Sequence, residues 1–228
     1  MRYALYYAPD ARDPLWDFGC AAIGRDARRA ARVAFPDHPL LRGAPLEGWT
    51  AEPRRYGFHA TLKPPFALAE GEDLAGLLAA ARGFAAGRAA FEAGRLRVAT
   101  IGAFVALIPA APAPALSALA DDCVAAFDRF RAPADAAERA RRLSGPLNPR
   151  QIENLDRWGY PYVFADFRFH MTLSGPLGEA DRALFARAMA ELYAPIDRPL
   201  VVDGITLFQQ DQTGAFVILE RFGFSAGG

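Results

Sequence analysis

Residues 54–66 read RRYGFHATLKPPF and residues 166–177 read DFRFHMTLSGPL, so Phe-His-x-Thr-Leu stands twice in one chain, with His59 and His170 separated by 111 positions. Only three histidines occur in the 228 residues. The repetition runs past the motif. Leu74, Leu77, Leu78 and Ala81 have the i, i+3, i+4, i+7 spacing of an apolar helix face, and Phe185, Ala188, Met189 and Leu192 repeat it 111 positions later. GAFVAL then begins at Gly102 and GAFVIL at Gly214. A unit of about 50 residues, in the order strand, helix, strand, strand, is therefore written twice, which predicts an α+β fold with pseudo-twofold symmetry. The expected architecture is one bilobal domain over 1–228, with two antiparallel sheets and outer helices around a central cleft. Lobe one covers about 1–110, a helical connector about 111–162 and lobe two about 163–228, and strands are free to exchange between the lobes.

The remaining elements follow from local pattern. A strand is expected at 2–8 and a helix from Pro14, with proline in its first turn. The Pro- and Gly-rich stretch 34–53 reads as a loop carrying the third histidine, His38, in solvent. The first motif strand is expected at 55–63, a helix at 72–86, and a tight strand pair at 95–101 and 103–108 turning at Gly102. Helices are expected at 113–130 and within 134–158. The second motif strand then falls at 166–174, a helix at 179–193, and closing strands at 199–208 and 214–222.

Side chains in a strand alternate faces. Tyr56, Phe58, Ala60 and Leu62 then share one face, while Arg55, Gly57, His59, Thr61 and Lys63 share the other. In the second copy Phe167, Phe169, Met171 and Leu173 oppose Asp166, Arg168, His170, Thr172 and Ser174. The apolar faces must be covered by helices, which leaves each His-x-Thr pair on an open face, and the symmetry brings both pairs to one cleft.

Two histidines across a cleft suit cleavage of a phosphodiester. An unperturbed imidazole titrates near pH 6.5, so one ring can accept a proton while the other donates one. The Thr61 and Thr172 hydroxyls can donate to non-bridging phosphate oxygens, and Lys63, Arg55 and Arg168 can offset developing charge. Lys63 is the only lysine in the chain. Trp158, Tyr160 and Tyr162 of RWGYPYVF precede the second motif; Tyr160 and Tyr162 are candidates for stacking on a base or ribose. Arg139, Arg141 and Arg142 of ERARRL read as a solvated helix face, with a substrate funnel as the alternative.

Basic and acidic residues balance at 26 each, which disfavours a grip on long nucleic acid. No His or Cys pattern has the spacing of a metal site, and no cofactor is implied. Cys20 and Cys123 read as buried free thiols. With no membrane-length apolar run and no signal-peptide pattern at the N-terminus, a cytoplasmic monomer acting on a small phosphorylated or cyclic-phosphate substrate, a nucleotide among them, is expected.

The paired HATL and HMTL resemble the two His-x-Thr signatures of the 2H phosphoesterase superfamily, which includes 2′-5′ RNA ligase-like proteins and cyclic phosphodiesterases. Within it, RYALYYAP, GRDA, RYGFHATLKPPF and WGYPYVFADFRFHMTLSGPL resemble a branch associated with phosphonate-metabolism operons, nearly end to end. The resemblance implies catalytic roles for His59 and His170 and phosphate binding by Thr61 and Thr172. It implies metal-independent hydrolysis of a small cyclic phosphate or a short 2′-5′ linkage. RNA end ligation and non-catalytic binding of a phosphorylated metabolite are the alternatives.

Overall fold

The computed structural model describes residues 1–143 and 145–225, the side chain of Arg141 excepted. Strand β1 (Tyr3–Tyr7) is buried at every position. Helix α1 (Pro14–Ile23) starts where Asp13 accepts a hydrogen bond from the Leu15 amide and Pro14 needs no amide partner. A two-stranded ribbon, β2 (Arg25–Asp26) with β3 (Ala31–Arg32), leads to two short helices, α2 (Leu46–Trp49) and α3 (Ala51–Tyr56). Then come β4 (Ala60–Phe66), α4 (Leu74–Ala86), β5 (Phe91–Glu92), and the hairpin β6 (Leu96–Ile101) and β7 (Phe104–Pro109). Helices α5 (Pro114–Ala126), α6 (Ala136–Arg142) and α7 (Pro149–Trp158) follow. The chain ends through β8 (Met171–Thr172), α8 (Glu179–Tyr193), β9 (Val201–Val202), β10 (Gly204–Gln210) and β11 (Phe216–Gly223).

The expected pair of sheets is one seven-stranded antiparallel sheet in the order β11-β10-β1-β4-β8-β7-β6, accompanied by the ribbons β2-β3 and β5-β9. Its two halves meet at a single residue pair, Ala60 with Met171. Strand β8 is only two residues long because the Leu173 and Ser174 amides both turn to one acceptor, the Val105 carbonyl, which ends the ladder. Residues 166–170 were expected in that strand and instead approach it as a short 3-10 turn and irregular chain.

Each hairpin lies beside the motif strand that it does not follow in sequence. The β6-β7 hairpin, which follows the first motif in sequence, pairs with β8, whereas β10-β11, which follows the second, pairs through β1 with β4. Helix α4 packs on β10 and β11, and α8 packs on β6 and β7. The buried residues of α4 are Leu77, Ala81 and Ala85, and those of α8 are Phe185, Ala188, Met189 and Tyr193. These belong to the two helix faces expected from the 3.6-residue period.

Two further local expectations are corrected. The start of the first motif is helical: Arg55 and Tyr56 close α3, and Gly57, at φ 81 and ψ 170, makes the corner into β4. His38 is not a solvated loop residue. Its Nδ1 accepts from the Leu40 amide and caps a 3-10 turn, and its Nε2 lies 3.1 Å from Glu191 of α8. Among the described residues no helix is long and apolar enough to cross a membrane.

Candidate active site

Ala60 and Met171 are wholly buried and pair antiparallel, so the register carries their neighbours with them. One step either way sets His59 beside Thr172 and Thr61 beside His170. All four side chains lie on the face opposite the buried pair. In such a square the two histidines are diagonal neighbours, roughly 7–8 Å apart at their Cα atoms. The same four residues line one cavity of about 760 Å³.

Both imidazoles are anchored in the same way. His59 Nδ1 lies 2.8 Å from the Gly57 carbonyl, and His170 Nδ1 lies 2.7 Å from the Arg168 carbonyl. A carbonyl can only accept, so each Nδ1 carries a proton and each neutral ring keeps its lone pair on Nε2. His59 Nε2 is 3.2 Å from Thr61 Oγ1, which can donate to it. The Tyr6 ring lies over His59, with centroids 3.8 Å apart and planes 18° from parallel, and Phe104 flanks His170 at 5.8 Å.

Burial sets the protonation of both rings. It lowers the His59 pKa from 6.5 to about 4; the Gly57 hydrogen bond opposes the shift and the neighbouring His170 adds to it. His170 is also lowered by burial, with the Arg168 carbonyl opposing. Without a bound anion, both rings are neutral at pH 7.

The sequence-derived site residues divide. His59, Thr61, His170, Thr172, Arg55 and Tyr160 line the cavity. Tyr162 and Arg168 line an adjoining cavity of about 620 Å³, which shares Thr61, Pro64, Phe104, Tyr160 and His170 with the first. Arg168 touches His170 through its backbone carbonyl. Arg55 reaches the cavity from α3, with its Nε 2.9 Å from the Gly214 carbonyl.

Lys63 does not face the cleft. Tyr6 pairs with Thr61, but Leu5 pairs with Lys63, so a β-bulge at Leu62 reverses the alternation. The Lys63 side chain is 1% exposed and crosses to the helix-covered face. Its Nζ donates at 3.1 Å to the Val124 carbonyl in the last turn of α5 and at 3.1 Å to Asp128. A cation at a helix C-terminus, paired with a carboxylate, is a structural arrangement. Asp128 also accepts from Arg131 at 2.8 Å.

Several cavity residues were not singled out from the sequence, namely Arg2, Tyr6, Glu52 and Phe104, while Arg142, expected on a solvated helix face, and Tyr56, expected on the apolar face of the motif strand, line the cavity instead. Phe104 carried a readable signal, because GAFV is repeated with Phe216 at the matching place, and Phe216 stacks on Tyr56 at 5.2 Å. Arg142 stands over the Tyr160 ring at 5.4 Å and is bonded to Glu138, while Arg139 pairs with Asp156. The Arg141 side chain lies outside the described residues. Among the described residues no group of three or more His, Cys, Asp or Glu side chains is placed to hold a metal ion.

The family described as "Protein of unknown function (DUF1045)" matches residues 61–217. Two curated relatives carry the name "Ribose 1,5-bisphosphate phosphokinase PhnN", that of an enzyme. The one from Janthinobacterium sp. (strain Marseille) is 39% identical over 233 residues, covering 100% of this chain and 51% of that protein. The one from Laribacter hongkongensis (strain HLHK9) is 38% identical over 223 residues, covering 94% of this chain and 50% of that protein. The chain thus spans about half the length of the curated relatives it matches. A solved structure, that of TT0787 from Thermus thermophilus, aligns over 100% of both chains with a TM-score of 0.48 and 17% identity.

Proposed function

We propose that this chain, which belongs to the family described as "Protein of unknown function (DUF1045)", is a phosphodiesterase of the 2H type that opens a small cyclic phosphate or a short 2′-5′ linkage. One observation carries the reading: His59 and His170 have identical Nδ1 anchors on backbone carbonyls and sit diagonally across the Ala60–Met171 pair. Each is thereby prepared to work through Nε2 on one ligand.

The scissile phosphate sits over the square, with the Thr61 and Thr172 hydroxyls donating to its non-bridging oxygens. One neutral imidazole takes a proton from the attacking water through Nε2 as the oxygen adds to phosphorus. The other, protonated, gives its proton to the departing alkoxide. The anionic substrate supplies the protonation: a negative charge beside two rings of depressed pKa raises both, so one proton is gained on binding. The mechanism calls on no metal.

The fold is read as two α+β units, about 1–110 and about 163–228, joined by the connector at about 111–162, with their hairpins exchanged; the crossed pairing of β6-β7 and β10-β11 supports this. The PhnN-named relatives support the phosphonate-associated branch of the resemblance. Their kinase activity has no visible seat in this half. A phosphate loop of the pattern G-x-x-x-x-G-K followed by Ser or Thr is missing from the sequence, and the single lysine, Lys63, is buried against α5.

The test is incubation of purified protein with a panel of cyclic phosphates and 2′-5′ dinucleotides, with and without chelator. Chelator-insensitive ring opening that His59→Ala and His170→Ala abolish is the expected result. Binding of panel members without product by the wild-type protein would make it a receptor instead.

A further inference from the structure

Arg2 and Arg55 stand out from the other basic residues at the cavity. The Arg142 charge is met by Glu138, but among the described residues no carboxylate pairs with Arg2 or Arg55. The turn joining β10 to β11 ties them together. Arg2 Nε donates to Gln210 at 2.9 Å, Gln210 donates to the Gly214 carbonyl at 3.0 Å, and Arg55 Nε donates to the same carbonyl at 2.9 Å. Both guanidiniums are therefore fixed through Nε, with their terminal nitrogens making no hydrogen bond to a described residue. Aromatic rings back them: Phe216 lies 5.8 Å from Arg2 and Tyr56 lies 6.0 Å from Arg55. Two oriented forks without an ion-pair partner, on a cavity wall that also carries Glu52 of α3, suit the binding of a second phosphate beside the one over the histidines.

We infer that the Arg2–Arg55 pair binds a second, non-reacting phosphate, so that the substrate is a cyclic phosphodiester of a sugar that also carries a phosphomonoester. This rests on the phosphodiesterase reading above. The relatives that contain this chain's counterpart as half their length are named for phosphorylating ribose 1,5-bisphosphate. A two-histidine hydrolase joined to such a kinase is placed to supply its substrate. The sugar is then ribose 5-phosphate with a phosphate bridging O1 and O2. Water adds its oxygen to phosphorus, the bond from phosphorus to O2 breaks, O2 leaves with a proton, and ribose 1,5-bisphosphate remains. No oxidant, nucleotide or metal enters the balance.

Ribose 5-phosphate 1,2-cyclic phosphate is compared with ribose 1,2-cyclic phosphate, which lacks the second phosphate, on the wild-type chain and on Arg2→Gln, Arg55→Gln and the double variant. The wild type should prefer the 5-phosphorylated ester by at least about 100-fold in kcat/KM, and the double variant should erase most of that preference, mainly through KM. Equal kcat/KM for the two esters on the wild type, or equal losses on both in the variants, would overturn the subsite. Calorimetric binding of ribose 1,5-bisphosphate against ribose 1-phosphate needs no turnover. Discrimination there without hydrolysis of any cyclic ester would sink the phosphodiesterase reading and spare the subsite; no discrimination would sink the subsite whatever the chemistry.

Discussion

The depressed histidines make protonation the variable through which the site can be interrogated. His59 titrates near pH 6.5 in the unfolded chain and at about 4 in the folded one. Above pH 6.5 both states are neutral and nothing is lost. Between 6.5 and 4 only the unfolded chain gains the proton, so stability falls with falling pH by at most about 3 kcal/mol from this group. His170 contributes with the same sign. His59→Gln should flatten the dependence of the melting temperature on pH across this window, and an unaltered slope would show that the ring is not held neutral. Catalysis should follow the same groups. Because one ring must be protonated, kcat/KM should peak below pH 6.5, while the kcat optimum should lie higher, since a bound anion raises both pKa values. Coincident optima above pH 8 would contradict the assignment. At Lys63 the expected readout is stability, not KM. Lys63→Ala breaks a buried pair and strips a cation from the end of α5, at a cost of about 3–5 kcal/mol in chemical denaturation. Asp128 keeps Arg131 as a partner, which places the loss toward the lower figure.

Elements whose signal is local were legible, and those set by pairing were not. The faces of α4 and α8 follow from period 3.6 alone, and both hairpins turn at repeated glycines, Gly102 at φ 56 and Gly214 at φ 86. Alternation also placed His59 with Thr61 and His170 with Thr172, because it needs to hold for only three residues. It failed two residues later. A bulge is a property of the ladder between β4 and β1; Pro64 and Pro65 mark the strand as irregular, but neither fixes the reversal at Leu62. The α3-to-β4 corner was missed for a different reason: Gly57 fits an alternating strand as a residue without a side chain and carries no mark of its φ. Its geometry is nevertheless demanding. At φ 81 and ψ 170 only glycine is comfortable, and a Cβ would come within 2.5 Å of the Ala27 methyl. Since the Gly57 carbonyl also anchors His59, Gly57→Ala should cost about 1–3 kcal/mol and reduce turnover beyond what the lost stability explains. Full activity in a folded Gly57→Ala protein would show that the anchor is dispensable.

At the scale of the whole molecule, the cavity is assembled where segments distant in sequence meet in one sheet. The repeated motifs were readable at offsets of 111 and 112 positions, but which hairpin joins which motif strand depends on contacts between distant segments, which no local pattern encodes. Arg2, missed from the sequence, and Arg142, expected on a solvated face, share that origin: Arg2 precedes β1, Arg142 ends α6, and both arrive by tertiary packing. The crossed arrangement has a mechanical consequence. A chain ending at residue 110 would keep β1, β4 and α4 yet lose β10 and β11, on which α4 packs and with which β1 pairs. The complementary piece would keep β8 and α8 but lose β6 and β7, their partners in turn. Each piece would expose an unpaired sheet edge and an uncovered apolar helix face, and neither could meet the conformational entropy of ordering. The intact chain should therefore unfold in one cooperative transition, with far-ultraviolet and aromatic signals coincident. Residues 1–110 and 111–228 expressed separately should lack cooperative melting, and mixing them should restore both the fold and whatever turnover the intact chain shows. Independent, cooperative melting of either fragment would show that each half carries a complete core of its own, and the crossed pairing of the hairpins would then be incidental to how the two histidines meet.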